Sequence, residues 1–154
     1  MLKEECSETI KMAEFPEESS PLLRVFVYGT LKPGEANYQK YCADKVISTT
    51  PAIALGELFA LPMGFPAMTS GNKPVHGYLL CFSDLEILTE LDDLEDYLPT
   101  RAESDNLYNR QFIEIYNRQW QSLGLAWAYV MTKHLIGQLG GVVQIDGCWS
   151  QLNC

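Results

Sequence analysis

Histidine is scarce in this chain, with only His76 and His134 among 154 residues, and none of the five cysteines stands in a Cys-x-x-Cys spacing. Zinc sites draw on clusters of those two residue types, so a zinc centre has little to build on and no metal is expected. Basic residues are also few: 11 Lys and Arg stand against 20 Asp and Glu, a formal net charge of -9. That deficit removes the electrostatic footprint needed to bind nucleic acid or an anionic membrane surface. Residues 51–68 carry Glu57 as their only charge, but Pro51, Pro62 and Pro66 with Gly56 and Gly64 would break a spanning helix. The opening Met-Leu-Lys-Glu-Glu-Cys is acidic and lacks the apolar segment of a secretory signal, so a cytoplasmic protein is expected. In that compartment the cysteines are expected to be reduced and mostly structural. There is no Gly-x-Ser-x-Gly elbow and no histidine signature beside a nucleophile, which sets Ser/His and Cys/His hydrolase chemistry aside. His76 reads as a structural residue within a strand.

What is present suits one domain, since 47% hydrophobic residues can fill a single core at this length. Residues 1–21 form an acidic arm closed by Pro16 and Pro21, which is expected to be flexible. The domain proper is expected over residues 22–132, with an extended tail over 133–154. Leu22 to Tyr28 is apolar on both faces and predicts a central strand. Val46 to Met68 reads as strands cut by bends at Thr49-Thr50-Pro51 and Leu61 to Pro66, and Lys73 to Phe82 as a further strand. Ser83-x-x-Glu86 has the spacing of a capping box, opening a helix that presents Leu85, Leu88 and Leu91 with Ile87 and Leu94 and runs to about Glu95. Tyr108 to Arg118 and Leu123 to Thr132 pair as a hairpin, whose second arm alternates large residues with Gly124, Ala126, Ala128 and Val130. One helix of any length among several strands disfavours a doubly wound parallel sheet. The order predicts an α+β fold, a small mixed barrel or rolled sheet with short helices at its rim.

Three groups of residues bear on chemistry. The strand over Val25 to Tyr28 breaks into Gly29-Thr-Leu-Lys-Pro-Gly34, and a glycine there lets successive amides turn into one anion-binding concavity. The Gly29-x-x-x-x-Gly34 spacing is half of a phosphate loop, but Glu35 and Ala36 replace the lysine and hydroxyl that the motif requires. A carboxylate is the better-matched guest; an ordinary strand-to-turn exit is the alternative. The second group is Asp92, Asp93, Glu95 and Asp96, in which Asp92 and Glu95 share a helix face, so like-charge repulsion or partial burial would raise one pKa toward neutral. An exposed acidic helix end is the alternative there. The third is the aromatic set Tyr28, Tyr97, Tyr108, Tyr116, Trp127 and Tyr129, which reads as packing unless phenols at a pocket mouth orient a substrate.

Tyr28-Gly-Thr-Leu31 with the following Lys-Pro-Gly, then Gly64-Phe-Pro-Ala67, Leu91-Asp-x-Leu-Glu95 and Tyr108-x-Arg110 resemble, in this order over residues 22 to 132, the γ-glutamylcyclotransferase-like superfamily, which includes the γ-glutamylamine cyclotransferases. The resemblance implies a six- or seven-stranded mixed barrel around a cavity. It implies that the loop Tyr28, Gly29, Thr30 and Leu31 holds a glutamyl α-carboxylate, that Gly64 and Tyr108 belong to the pocket, and that Glu95 is the catalytic carboxylate. The implied reaction closes 5-oxoproline from a γ-glutamyl amino acid or amine, without cofactor, in a monomer or weak homodimer. Where the family commonly has Gly after that Glu, this chain has Asp96, so a displaced or more acidic helix end is expected, and Tyr97 to Leu107 is long enough to form a lid. A non-catalytic interaction module using the acidic 84–105 face is the competing expectation.

Overall fold

In the computed structural model, residues 22–150 are described. The apolar run near the start becomes strand β1 (Leu23–Val27), all five residues of which are buried. β2 (Val46–Ala60) and β3 (Pro66–Phe82) follow as a long antiparallel pair, and β4 (Asn109–Tyr116), β5 (Ser122–Val130) and the short β6 (Val142–Val143) complete six strands. The sheet order is β3-β1-β5-β4-β2-β6, and β3 also pairs with β2, so five strands close a ring to which β6 adds at one edge. β1 runs antiparallel to β3 and parallel to β5, the latter through Val25 and Trp127, which makes the sheet mixed. The expected α+β architecture holds, as a ring-like sheet rather than a regular barrel.

β1 is central because both of its faces are covered. Val25 and Val27 pack with Leu80 beneath helix α2 (Ile87–Leu94), while Phe26 packs on the opposite face with Ala52, Leu79, Ala126 and Ala128. The alternation in β5 sorts as expected on its small side, where Ala126 and Ala128 are fully buried. On the large side Leu125 is 49% exposed, whereas Tyr129 and Met131 turn into the core toward the strand end.

Several local expectations are corrected. β2 runs straight through Pro51, which pairs with Tyr78 of β3. β4 reaches β2 only at Ile53 and Ala54, so at Pro51 the missing N–H falls on an unpaired side and breaks no ladder. The Ser83–Glu86 capping box does not form: the Asp84 carboxylate accepts from the Glu86 amide at 2.9 Å, and the helix starts at Ile87. Ile87 and Leu91 are its buried residues, and Leu85, outside the helix, is 49% exposed. The 133–154 segment is not simply extended, because Thr132 caps helix α3 (Lys133–Leu139) by accepting from the Leu135 amide at 3.1 Å. The stretch Ala36 to Cys42, which by its sequence could make a short helical turn, does so as α1 (Ala36–Tyr41). Cys81 and Cys148 are disulfide-bonded, against the expectation of reduced thiols. Cys42 is free and buried, and burial pushes its thiol up to about 11, which suits an inert core residue. The expected acidic arm at 1–21 lies outside the described residues. Among the described residues no helix is long and apolar enough to cross a membrane.

At Gly77, a Cβ would lie 2.1 Å from the Val27 carbonyl oxygen and 2.9 Å from the Phe26 ring. Backbone cannot yield as a side chain does, so Gly77→Ala is expected to lower stability by about 2–3 kcal/mol. Urea unfolding measures this; an unchanged midpoint would show that β1 and β3 can separate without loss.

Candidate active site

The loop leaving β1 is shaped by its own carbonyls. The Lys32 amide donates to the Gly29 carbonyl at 3.0 Å, and the Asn37 and Tyr38 amides donate to the Thr30 carbonyl at 3.1 and 3.2 Å. Asn37 also donates from Nδ2 to Thr30 Oγ1 at 2.8 Å. With the Gly29 carbonyl turned back into the loop and the Thr30 carbonyl toward α1, none of the described residues accepts from the Thr30 or Leu31 amides, which leaves them able to donate to an anion. Glycine at position 29 is required by close approach, because a Cβ would stand 2.6 Å from Pro66 Cγ. The Ser150 hydroxyl donates to Glu35 Oε2 at 2.7 Å, tying the far end of the loop to the C-terminal segment.

The loop opens on a cavity of about 270 Å3. Tyr28, Gly29, Thr30, Leu31, Glu95 and Tyr108 all line it, so six of the seven residues singled out from the sequence meet at one place. Gly64 does not line it. It sits with φ of 99° in the turn closed by Leu61 and Phe65, and its neighbours Phe65 and Pro66 form the wall instead. Residues not singled out for the pocket also line it, among them Asn37, Leu94, Leu107 and Tyr129. Tyr129 had a visible signal, its place in the alternation of β5, but nothing local tells which end of that alternation borders a cavity.

Glu95 caps the C-terminal end of α2, its amide donating to the Leu91 carbonyl at 2.9 Å and its carbonyl accepting from the Tyr108 amide at 3.4 Å. Burial pushes its carboxyl up to about 7. Asp92 is not the cause, because its charge is compensated by Arg110, whose Nη1 lies 2.8 Å from Asp92 Oδ2. Of the two routes expected to raise a carboxyl pKa here, desolvation is the operative one.

Asp96 has φ of 55°, the left-handed conformation that a glycine adopts freely and that costs an L-residue about 1 kcal/mol. Arg101 holds it there, donating from Nη2 to the Asp96 carbonyl at 2.7 Å and to Oδ1 at 3.1 Å. The departure from glycine therefore adds an acidic group whose charge is met by Arg101. The loop after it is organised by Asn106, 3% exposed, whose Oδ1 accepts from the Leu98 amide at 3.0 Å and from Arg101 Nε at 2.7 Å. Its Nδ2 donates to Asn109 Oδ1 at 2.9 Å, and the loop supplies Leu107 to the cavity wall.

Three phenols line the cavity, and each has committed its proton to the protein. Tyr28 donates to the Tyr129 carbonyl at 2.6 Å while accepting from the Met68 amide at 3.1 Å. Tyr108 donates to the Pro66 carbonyl at 2.5 Å, and Tyr129 donates to Asp92 Oδ1 at 2.6 Å. Burial pushes the pKa of all three upward, so they stay protonated and cannot serve as bases. Toward the cavity their oxygens can only accept. Among the described residues of the lining, Glu95 is thus the one group whose pKa suits taking or returning a proton near neutral pH. Among the described residues no cluster of three or more His, Cys, Asp and Glu is placed to hold a metal ion.

Residues 25–151 match the family described as gamma-glutamyl cyclotransferase, AIG2-like, and the chain belongs to that family. The matched residues run past 132 and include α3 and β6. A protein of Niallia circulans named gamma-L-glutamyl-butirosin B gamma-glutamyl cyclotransferase is 32% identical over 109 residues, covering 71% of this chain and 67% of that one. Among solved structures, an AIG2-like protein of Mus musculus superposes with a TM-score of 0.62 at 19% identity, over 86% of this chain and 90% of its own. YkqA of Bacillus subtilis gives a TM-score of 0.58 at 20% identity over 84% of this chain, which spans 40% of that longer protein. At those identities the superpositions establish the fold alone.

The Glu95 carboxyl has a pKa of about 7 in the folded chain against an ordinary 4.5. Between those values the folded state binds the extra proton, so stability falls as pH rises through that window. Glu95→Gln is therefore expected to be more stable than the natural protein by roughly 1–2 kcal/mol above pH 7, discounted because the cavity admits water. Below the ordinary carboxyl pKa the gap should close. Denaturant titrations at about pH 8 and about pH 4 measure it; an equal gap at both would refute burial as the cause.

Proposed function

We propose that this chain is a γ-glutamyl cyclotransferase that forms 5-oxoproline, with Glu95 as its general acid and base. The observation that carries this reading is that the Gly29–Leu31 loop and Glu95 line one cavity. The free amides hold the substrate's α-carboxylate, which brings the adjacent α-ammonium toward Glu95. Glu95 takes a proton from the ammonium, and the freed amine attacks the γ-carbonyl carbon of the same molecule. A tetrahedral centre forms and collapses, the bond from that carbon to the leaving nitrogen breaks, and Glu95 returns the proton to that nitrogen. The attacking nitrogen gives up its second proton, again through Glu95, to the departing amine, so the five-membered lactam and an ammonium ion result with no net change in protons on the enzyme. Rate comes from orientation, since one held end forces amine and carbonyl together, and from a base tuned near the working pH.

The leaving group is better matched by an amine than by an amino acid. Phe65, Pro66, Leu94 and Leu107 form an apolar wall, and among the described residues no cationic side chain lines the cavity to meet a second carboxylate. A pure interaction module on the acidic face would not require the loop and a desolvated carboxylate to share a cavity, so the catalytic reading is favoured. The disulfide-bonded Cys81 and Cys148 weigh against a cytoplasmic setting.

Purified protein assayed on γ-glutamyl amines and γ-glutamyl amino acids should release 5-oxoproline, faster from the amines. Glu95→Gln should lose activity by about 100-fold or more, the scale of general acid–base catalysis. Because the base must be ionised, kcat/KM should fall about tenfold per pH unit below about 7. Equal turnover by the natural protein and Glu95→Gln would sink the assigned role.

A further inference from the structure

The Leu91-Asp-x-Leu-Glu95 and Tyr108-x-Arg110 segments contain two charged residues, Asp92 and Arg110, that the reaction above does not use. They lie outside the cavity lining but are nearly buried, with side chains 15% and 16% exposed, and they meet at 2.8 Å. The Arg110 guanidinium lies between two rings, 4.4 Å from the Trp127 centroid and 5.2 Å from that of Tyr97. Its Nε is buried with no acceptor among the described residues. For stability alone an apolar pair of similar volume would serve as well as such an ion pair, and it would leave no donor unmet. The pair therefore calls for another explanation.

That explanation lies in what the second Asp92 oxygen does. While Oδ2 meets Arg110, Oδ1 accepts from the Tyr129 hydroxyl at 2.6 Å. An ionised carboxylate can only accept, so it draws the phenol proton away from the cavity. Tyr108 is turned the same way by the Pro66 carbonyl, and the charge of Glu95 acts on both phenols. Two acceptor oxygens and a carboxylate around one space complement a group that has several N–H donors and a positive charge. We propose that Asp92 and Arg110 are positioning residues that lock the Tyr129 phenol as an acceptor, so that Tyr129, Tyr108 and Glu95 together form the subsite for a substrate's α-ammonium. The identity of that ammonium rests on the reaction proposed above; the acceptor geometry does not. Without Arg110 the Asp92 carboxylate is free to turn toward water. Without Asp92 the phenol proton is free to rotate inward and repel the cation.

The test uses two ligands that cannot react: L-norleucine, with an α-carboxylate and an α-ammonium, and hexanoate, which lacks the ammonium. Calorimetric binding to the natural protein is expected to favour norleucine by about tenfold, the worth of a hydrogen bond to a charged group. Asp92→Ala and Arg110→Met should each reduce that preference to about twofold or less while leaving hexanoate affinity unchanged. Asp92→Asn, whose amide oxygen still accepts from the phenol, should keep part of the preference. Variants that retain the full preference would overturn the inference, as would variants that lose both ligands alike, which marks structural damage only. A natural protein that shows no preference would overturn it whatever the turnover. A preference without turnover of any γ-glutamyl compound would refute the proposed reaction and leave the ammonium subsite standing.

Discussion

The hydroxyl of Tyr28 joins three strands at the rim of the ring. It lies one residue beyond β1, donates to the Tyr129 carbonyl of β5 and accepts from the Met68 amide of β3. Met68 in turn accepts from the Met131 amide at 2.9 Å, so the same corner is fastened twice. With that corner closed, the chain leaving β1 cannot continue as a strand, and the next amides are released from any ladder. The glycine loop is thus a consequence of how the sheet ends. Pro66, pressed against Gly29, makes the wall opposite from the same corner.

Across the cavity the constraint is electrostatic. The chain carries a formal net charge of -9, and α2 ends in four carboxylates within five positions, yet each of the two inner ones meets a different fate. Asp92 is placed against Arg110 and Tyr129, where its charge is compensated. Glu95, one turn on, has no cationic partner among the described residues and is desolvated instead. Separation of these two environments lets one carboxylate hold structure while the other stays near neutrality as an acid or base. Arg101 performs a related service for Asp96, meeting its carboxylate at 3.1 Å and keeping the strained backbone in place.

Parts of this were legible residue by residue. The abrupt change from Val27-Tyr28 to Gly29 is a local signal, and so is the spacing of Ile87 and Leu91 along one helix face. Other readings failed where a partner far along the chain decides the outcome. Pro51 looked like a strand breaker, and only the limited reach of β4 along β2 makes it harmless. Leu85 fitted a helical face, but Asp84 captures the Glu86 amide and the helix begins two residues later. Gly64 stood in a matching motif, although its role is to turn the chain so that Phe65 and Pro66 reach the cavity.

By itself the sequence determined a mixed α+β sheet, the position of the amide-rich loop, the absence of a phosphate-binding lysine after it, and the carboxylate cluster Asp92, Asp93, Glu95 and Asp96. These follow from short-range properties: apolar periodicity, glycine's freedom and the order of charges. Tertiary structure alone decided that loop and carboxylate share one cavity, that burial rather than Asp92 raises the Glu95 pKa, and that Tyr129, 37 positions from Asp92, lends its phenol to the wall. Desolvation and hydrogen-bond direction depend on what surrounds a group in space. A sequence names the groups, and the closed ring brings them together and sets which way their protons point.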